Sequence, residues 1–125
     1  MPHCVLEYSA NVKDSVNFQD FFASLHKLLA DSGEIQHDQL KGRWYCSENY
    51  FVGDGSPKNA FVYLQISMLS GRTAELRKRL AGQAFELLSA QYPRSQRDLS
   101  CSITVEIREM DRETHFKVSK TPQPA

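Results

Sequence analysis

The sequence lacks a charge bias: 15 Lys and Arg face 15 Asp and Glu across 125 residues. A nucleic acid or an anionic membrane surface calls for a basic excess, so neither is expected as a partner. No apolar run approaches the length needed to span a bilayer. The first residues have neither the basic segment nor the apolar stretch of a secretory leader, so a cytoplasmic location is expected. Cysteine is scarce, odd in number and widely spaced, at Cys4, Cys46 and Cys101. All three fall in strand-like stretches, which predicts buried free thiols rather than disulfides. No CxxC or HxxxH pair is present, so no metal site is expected.

What is present suffices for one domain, Met1 to Ala125, with a hydrophobic fraction of 41% and a polar, loose tail from about residue 118. A nearly continuous apolar stretch from Pro2 to Tyr8 predicts a well-covered first strand. A helix is expected from Asn17 to Ser32. Phe18, Phe21, Phe22, Leu25, Leu28 and Leu29 form its stripe, Asn17 its N-cap and Gly33 its stop. His26 lies beside the stripe as a surface or hydrogen-bonded residue. A second strand spans Gln39 to Ser47, where Leu40, Gly42, Trp44 and Cys46 alternate with Lys41, Arg43 and Tyr45. The loop 48–59 is rich in Gly and Pro and has room for a short hairpin at Tyr50-Phe51-Val52.

The third strand runs from Ala60 to Leu69 and leads through Ser70-Gly71-Arg72 into a helix from Thr73 to Gln91, ended by Pro93. Within that helix the basic run Arg77-Lys78-Arg79 is expected to be a solvated face. The last strand is Cys101 to Met110. The order β-α-β, β-α-β predicts an α+β fold: two units forming a four-stranded mixed sheet with two helices on one face. Apolar residues on its other face would then need a partner.

Two features could carry chemistry. If Met1 is trimmed, Pro2 presents a free secondary amine at a strand end, and such an amine can serve as a general base when its pKa is lowered toward neutrality. Proline is also tolerated at the first residue of a strand for structural reasons alone. Lys41 and Arg43 share one strand face, as an anion-binding pair or as a solvated surface.

Met1-Pro2-His3, the duplicated layout and the stretch Ala60-Phe61-Val62 through Ser70-Gly71-Arg72-Thr73 resemble the 5-carboxymethyl-2-hydroxymuconate isomerase family of the tautomerase superfamily. Further matches are Arg43, Phe85-Glu86-Leu87, Glu106-Ile107 and Phe116-Lys117. The resemblance spans Pro2 to about Lys117. It implies a tautomerase-like fold, a homotrimer and cofactor-free isomerisation. The implied substrate is an unsaturated dicarboxylate or tricarboxylate from homoprotocatechuate and 4-hydroxyphenylacetate breakdown. By the resemblance, Pro2 is the catalytic base and Arg72 binds substrate oxygens. A second family arginine falls at Lys41, which keeps the charge and loses the bidentate fork, and Arg43 would share its role. A binding protein of the same fold, or a tautomerase for another 2-oxo acid, remains open.

Overall fold

A computed structural model describes residues 2–122. The expected removal of Met1 and the loose character of Gln123, Pro124 and Ala125 lie outside the described residues. Four strands form one sheet in the order β2-β1-β3-β4, with β1 at His3–Ser9, β2 at Lys41–Ser47, β3 at Asn59–Leu69 and β4 at Ser100–Met110. β1 runs parallel to β2, and β3 parallel to β4. A parallel neighbour requires a crossover, which α1 (Phe18–Ala30) and α2 (Ala74–Ser89) supply. The two units join where β1 meets β3 antiparallel, with Leu6 opposite Leu64.

Local chemistry sets the helix limits. Asn17 Oδ1 accepts from the Asp20 N–H at 3.1 Å, and Thr73 Oγ1 accepts from the Leu76 N–H at 3.1 Å. Each satisfies one of the donors a helix start leaves open. Past α1, the Gly33 N–H returns to the Ala30 carbonyl at 3.0 Å. The apolar stripe of α1 (Phe21, Phe22, Leu25, Leu29) and that of α2 (Leu80, Ala84, Leu88) are buried against Cys4, Leu6, Val62, Leu64, Ile66 and Met68. Each fully buried Leu contributes about 1.5–3 kcal/mol of transfer free energy. Stacked rings extend this core to the β2 edge: Tyr8 on Phe18 at 5.3 Å, Phe18 on Trp44 at 5.3 Å and Phe22 on Trp44 at 5.4 Å.

Several expectations are corrected. Pro93 does not merely end α2. It opens α3 (Pro93–Asp98), a short helix in which proline takes the first turn, where no N–H is needed. Asp14 anchors this helix by accepting from the Arg94 N–H, the Ser95 N–H and the Ser95 hydroxyl. The hairpin at Tyr50-Phe51-Val52 does not form. The loop is instead closed by Asn59, whose amide donates to Val52 O and to Asp54 Oδ1. Gln39 belongs to a short 3-10 turn, His37–Gln39, and not to the strand.

The uncovered sheet face is largely polar. Away from the helices point His3 and Glu7 of β1, Lys41 and Arg43 of β2, Gln65 and Ser67 of β3, and Thr104, Glu106 and Arg108 of β4. Val5, Tyr45, Phe61 and Tyr63 interrupt this polarity. Cys4 is buried as expected and Cys101 half-buried, but Cys46 is exposed because β2 is a sheet edge. All three are free thiols. Among the described residues no helix is long and apolar enough to cross a membrane.

Candidate active site at the Pro2 end of the sheet

Pro2 sits just before β1 and its side chain is fully buried. Its carbonyl accepts the Lys41 N–H at 3.2 Å, and its place just before the strand is one where proline's lack of an N–H is tolerated. Strand alternation places its ring on the helix side, with Cys4 and Leu6. His3 pairs with Lys41 on one flank and Ser67 on the other. Pro2 therefore lies at the end of the sheet where β2 begins, β3 finishes and the Ser70-Gly71-Arg72 turn follows.

That turn is built for a close reversal. Gly71 has φ of 121°, a conformation that residues with a side chain rarely adopt. The Ser70 N–H donates to the Met110 carbonyl at 2.9 Å, tying the turn to the end of β4. Arg72 emerges at the Pro2 end of the sheet, as the sequence predicts. Its guanidinium is already engaged: Nη1 donates to Leu69 O and Nη2 to Glu34 O, each at 2.9 Å. Nε is buried and has no hydrogen-bond partner among the described residues. Arg72 thus ties the segment after α1 to the exit of β3 and retains one unsatisfied donor.

Lys41 and Arg43 stand on the open face, across the sheet plane from the Pro2 ring. The sequence-based expectation brought Pro2, Arg72, Lys41 and Arg43 to one end of the sheet, and the structure does so while dividing them between its two sides. His3 is a site residue that sequence reasoning left unassigned. Arg43 Nη1 lies 3.2 Å from His3 Nδ1. Because arginine can only donate, Nδ1 accepts and His3 is the neutral Nε2–H tautomer. Burial, then the charges of Arg43 and Lys41, hold its pKa below the usual histidine value. The available signal was alternation: a residue next to Pro2 must face opposite to it.

Among the described residues, Lys41, Arg43 and Arg72 form no ion pair with a carboxylate. Arg108, on the same open face, is paired with Glu106 at 3.1 Å, and Glu106 also accepts from the Tyr63 hydroxyl. The thiol of Cys4 is pushed up to about 12 by burial, which keeps it protonated and poorly nucleophilic near neutrality. His26 is a correction: its Nε2 is buried without a hydrogen-bond partner among the described residues, beside His37 at 6.3 Å between ring centroids. No group of three His, Cys, Asp or Glu side chains able to hold a metal occurs among the described residues. A shallow depression of about 540 Å³ along Glu75, Lys78, Arg79, Gly82, Gln83 and Glu86 of α2 includes none of these site residues.

A model of the family described as 5-carboxymethyl-2-hydroxymuconate isomerase matches residues 2–123. The chain is 24% identical over 117 residues to the 5-carboxymethyl-2-hydroxymuconate Delta-isomerase of Escherichia coli, covering 94% of this chain and 93% of that protein. The crystal structure of a 5-carboxymethyl-2-hydroxymuconate isomerase from Deinococcus radiodurans R1 superposes with a TM-score of 0.87 at 23% identity, covering 95% of this chain and 90% of that one. A fused 4-OT solved as a symmetric trimer superposes with a TM-score of 0.69 at 15% identity, over 94% and 91% of the two chains.

Proposed function

The chain belongs to the 5-carboxymethyl-2-hydroxymuconate isomerase family and is an isomerase, and on that premise we propose that it moves a proton within an unsaturated 2-hydroxy acid, with Pro2 as the general base. The observation that carries this reading is the placement of Pro2: buried at the sheet end where Lys41 opens β2 and Arg72 follows β3, with Arg43 on the open face, none of the three paired with a carboxylate among the described residues.

With Met1 removed, the Pro2 nitrogen takes the proton of the substrate's 2-hydroxyl. The O–H electron pair becomes the new carbonyl, the conjugated double bonds shift, and the prolinium returns the proton to a conjugated carbon. Atoms and charge balance within the substrate, so the step uses no cofactor, oxidant or metal. Burial and surrounding cations both favour the neutral amine, the form that can accept the proton. The Arg72 guanidinium stabilises dienolate charge as it develops, and Lys41 and Arg43 add to the positive potential from across the sheet.

The proposed setting is aromatic acid breakdown in the cytoplasm, on the homoprotocatechuate and 4-hydroxyphenylacetate branch. The three free thiols suit a reducing compartment. Homotrimer assembly is part of the proposal, supported by the trimeric 4-OT relative and by exposed apolar residues Phe51, Phe116 and Val118. Light scattering should then give three times the 14.3 kDa chain mass, and a monodisperse monomer at micromolar concentration would contradict it.

The decisive test compares protein lacking Met1, protein retaining it, and Pro2→Ala, on a 2-hydroxymuconate. Trimmed protein should be active, the Met1-bearing form nearly inactive because its proline nitrogen is an amide, and Pro2→Ala partly active through its primary amine. Full activity with Met1 in place would remove Pro2 from the mechanism. A second reading, a tautomerase for a 2-oxo acid with fewer carboxylates, is favoured by one observation: two nitrogens of Arg72 already hold backbone carbonyls. Turnover of phenylpyruvate-type enols in preference to hydroxymuconates would select it.

A further inference from the structure

The segment after β4 does not leave the molecule at the β4 edge. Arg112 Nε donates to the Ser70 carbonyl, at the exit of β3. His115 lies near enough to His3, at the start of β1, for its charge to bear on that ring. Lys117 Nζ then donates to Gln39 Oε1, two residues before β2. Residues 112, 115 and 117 thus meet the ends of β3, β1 and β2 in turn. Since β1 lies between β3 and β2 in the sheet, the chain must cross the sheet end directly over the start of β1, where Pro2 sits.

The crossing brings charge with it. Arg112 and Lys117 form no ion pair with a carboxylate among the described residues, and Lys117 is exposed. They join Lys41, Arg43 and Arg72 at the same end; the strap also carries Asp111, whose carboxylate accepts the Glu113 N–H, and Glu113, and neither pairs with these cations among the described residues. Concentrating unpaired cations in one place costs mutual repulsion, and a polyanionic ligand relieves it. Gln39, the Lys117 partner, is neutral, so an incoming carboxylate can displace it without breaking an ion pair.

We propose that the segment from Asp111 to Val118 is a strap across the Pro2 end of the sheet, and that Lys117 is a specificity-determining residue that binds a carboxylate remote from the reacting enol. The resemblance already implies a polycarboxylate substrate, and Lys117 is the residue assigned to recognise its remote carboxylate. This inference rests on the assignment of the Pro2 end as the site, and deepens it by naming the residue that reads the remote carboxylate. Within one chain the strap is held by polar contacts: Phe116, the residue beside Lys117, is 92% exposed and is left to the proposed trimer contact.

Binding can be read without turnover. Calorimetry at low salt would use the full chain, with propane-1,2,3-tricarboxylate and butyrate as probes, on the wild type, Lys117→Gln and Lys117→Arg. The wild type should bind the tricarboxylate more tightly than butyrate. Lys117→Gln should weaken tricarboxylate binding roughly tenfold, the scale of one charge-assisted hydrogen bond, and leave butyrate unchanged. Lys117→Arg should restore it. Unfolding temperatures should match throughout, because Lys117 is exposed. Unchanged tricarboxylate affinity in Lys117→Gln, an equal loss for both probes, or no rescue by arginine would each overturn the proposal. Turnover on a 2-hydroxymuconate, measured alongside, separates this from the role of Pro2: full activity with Met1 retained sinks the base, while a Lys117-dependent preference for the tricarboxylate leaves the strap standing.

Discussion

Replacing Arg72 with alanine should damage the protein twice, and the two losses can be measured apart. Its guanidinium holds Leu69 O in a half-buried setting and Glu34 O in an exposed one. A hydrogen bond from a charged donor contributes about 1.5–3 kcal/mol, and exposure reduces the second bond well below that range. Loss of both should cost about 2 kcal/mol of folding stability. For a chain of this length that corresponds to a fall in Tm of roughly 8 °C. The catalytic loss is separate. If Nε, the donor without a protein partner, meets a substrate oxygen, its removal should lower kcat/KM by roughly a hundredfold, the cost of losing one preorganised donor. Arg72→Lys should keep part of the electrostatic effect and lose most of the structural tie, because an ammonium cannot span two carbonyls as the planar fork does. Thermal unfolding and steady-state kinetics at 25 °C, well below either transition, separate these contributions. A lower Tm with kcat/KM unchanged would make Arg72 a structural tie and refute its part in the reaction. Lost activity with Tm unchanged would refute the tie.

Gly42→Ala should destabilise the protein by about 1–3 kcal/mol through overpacking, read by chemical denaturation. The added methyl would lie 2.4 Å from Phe22 Cδ1 and 3.1 Å from His26 Nε2, and Phe22 is held by Trp44; an unchanged midpoint would show that the ring moves aside freely. Stability should also fall as pH drops below about 6.5, because burial and then the neighbouring His37 hold the His26 pKa below 6.5. The unfolded chain takes up that proton first, so the contribution is intact above 6.5 and declines below it. His26→Gln should flatten the denaturation midpoint between pH 5 and 6.5, and a slope unchanged by the substitution would count against the assignment.

The residues that rest on local rules were legible in the sequence. Asn17 was readable as a cap because an oxygen three residues ahead of a free N–H is a local arrangement; Thr73, read as the first residue of its helix, caps it in the same way. The parallel pairing within each half follows from one crossover helix per pair of strands. Long-range matters were not legible. Whether β2 is an edge decides the exposure of Cys46, and nothing within 41–47 encodes it. Gly42 reads as a small apolar residue on the inner face; that it leaves room for Phe22 is known only once α1 lies over β2. α3 has six residues, too few for helical periodicity to register, so Pro93 reads as a stop when it is also a start. The polarity of the open face was hidden by β3, where Phe61 and Tyr63 make a half-exposed strand resemble a fully buried one. Its partners across the ladder, Thr104, Glu106 and Arg108, carry the polar signal plainly. The capture of Arg72 by Glu34, thirty-eight residues away, has no local trace.

The division of the cations between the two sides of the sheet bears on how the proposed reaction would work. Neighbouring residues on a strand point to opposite faces, so Lys41 and Arg43 cannot touch a substrate lying against the Pro2 ring unless that substrate wraps the sheet end. Lowering the pKa of an amine requires no such contact. An ordinary α-amino group titrates near 7.7–8.0, and the secondary amine of an amino-terminal proline is more basic still, so its pKa must fall by more than one unit to reach neutrality. Two unit charges about 10 Å apart at an effective dielectric of about 20 interact by roughly 1.7 kcal/mol, slightly more than one pKa unit. Cations across the strand therefore favour the neutral form of a trimmed Pro2 without touching it, and burial acts in the same direction. Binding a carboxylate is a contact interaction, and in the proposal it falls to groups that reach the sheet end itself: Arg72 from the β3 side and Lys117 from the strap. In this arrangement Lys41 contributes charge more than geometry. Lysine in place of the arginine implied by the resemblance then loses a fork that its position would not bring to bear on the Pro2 side.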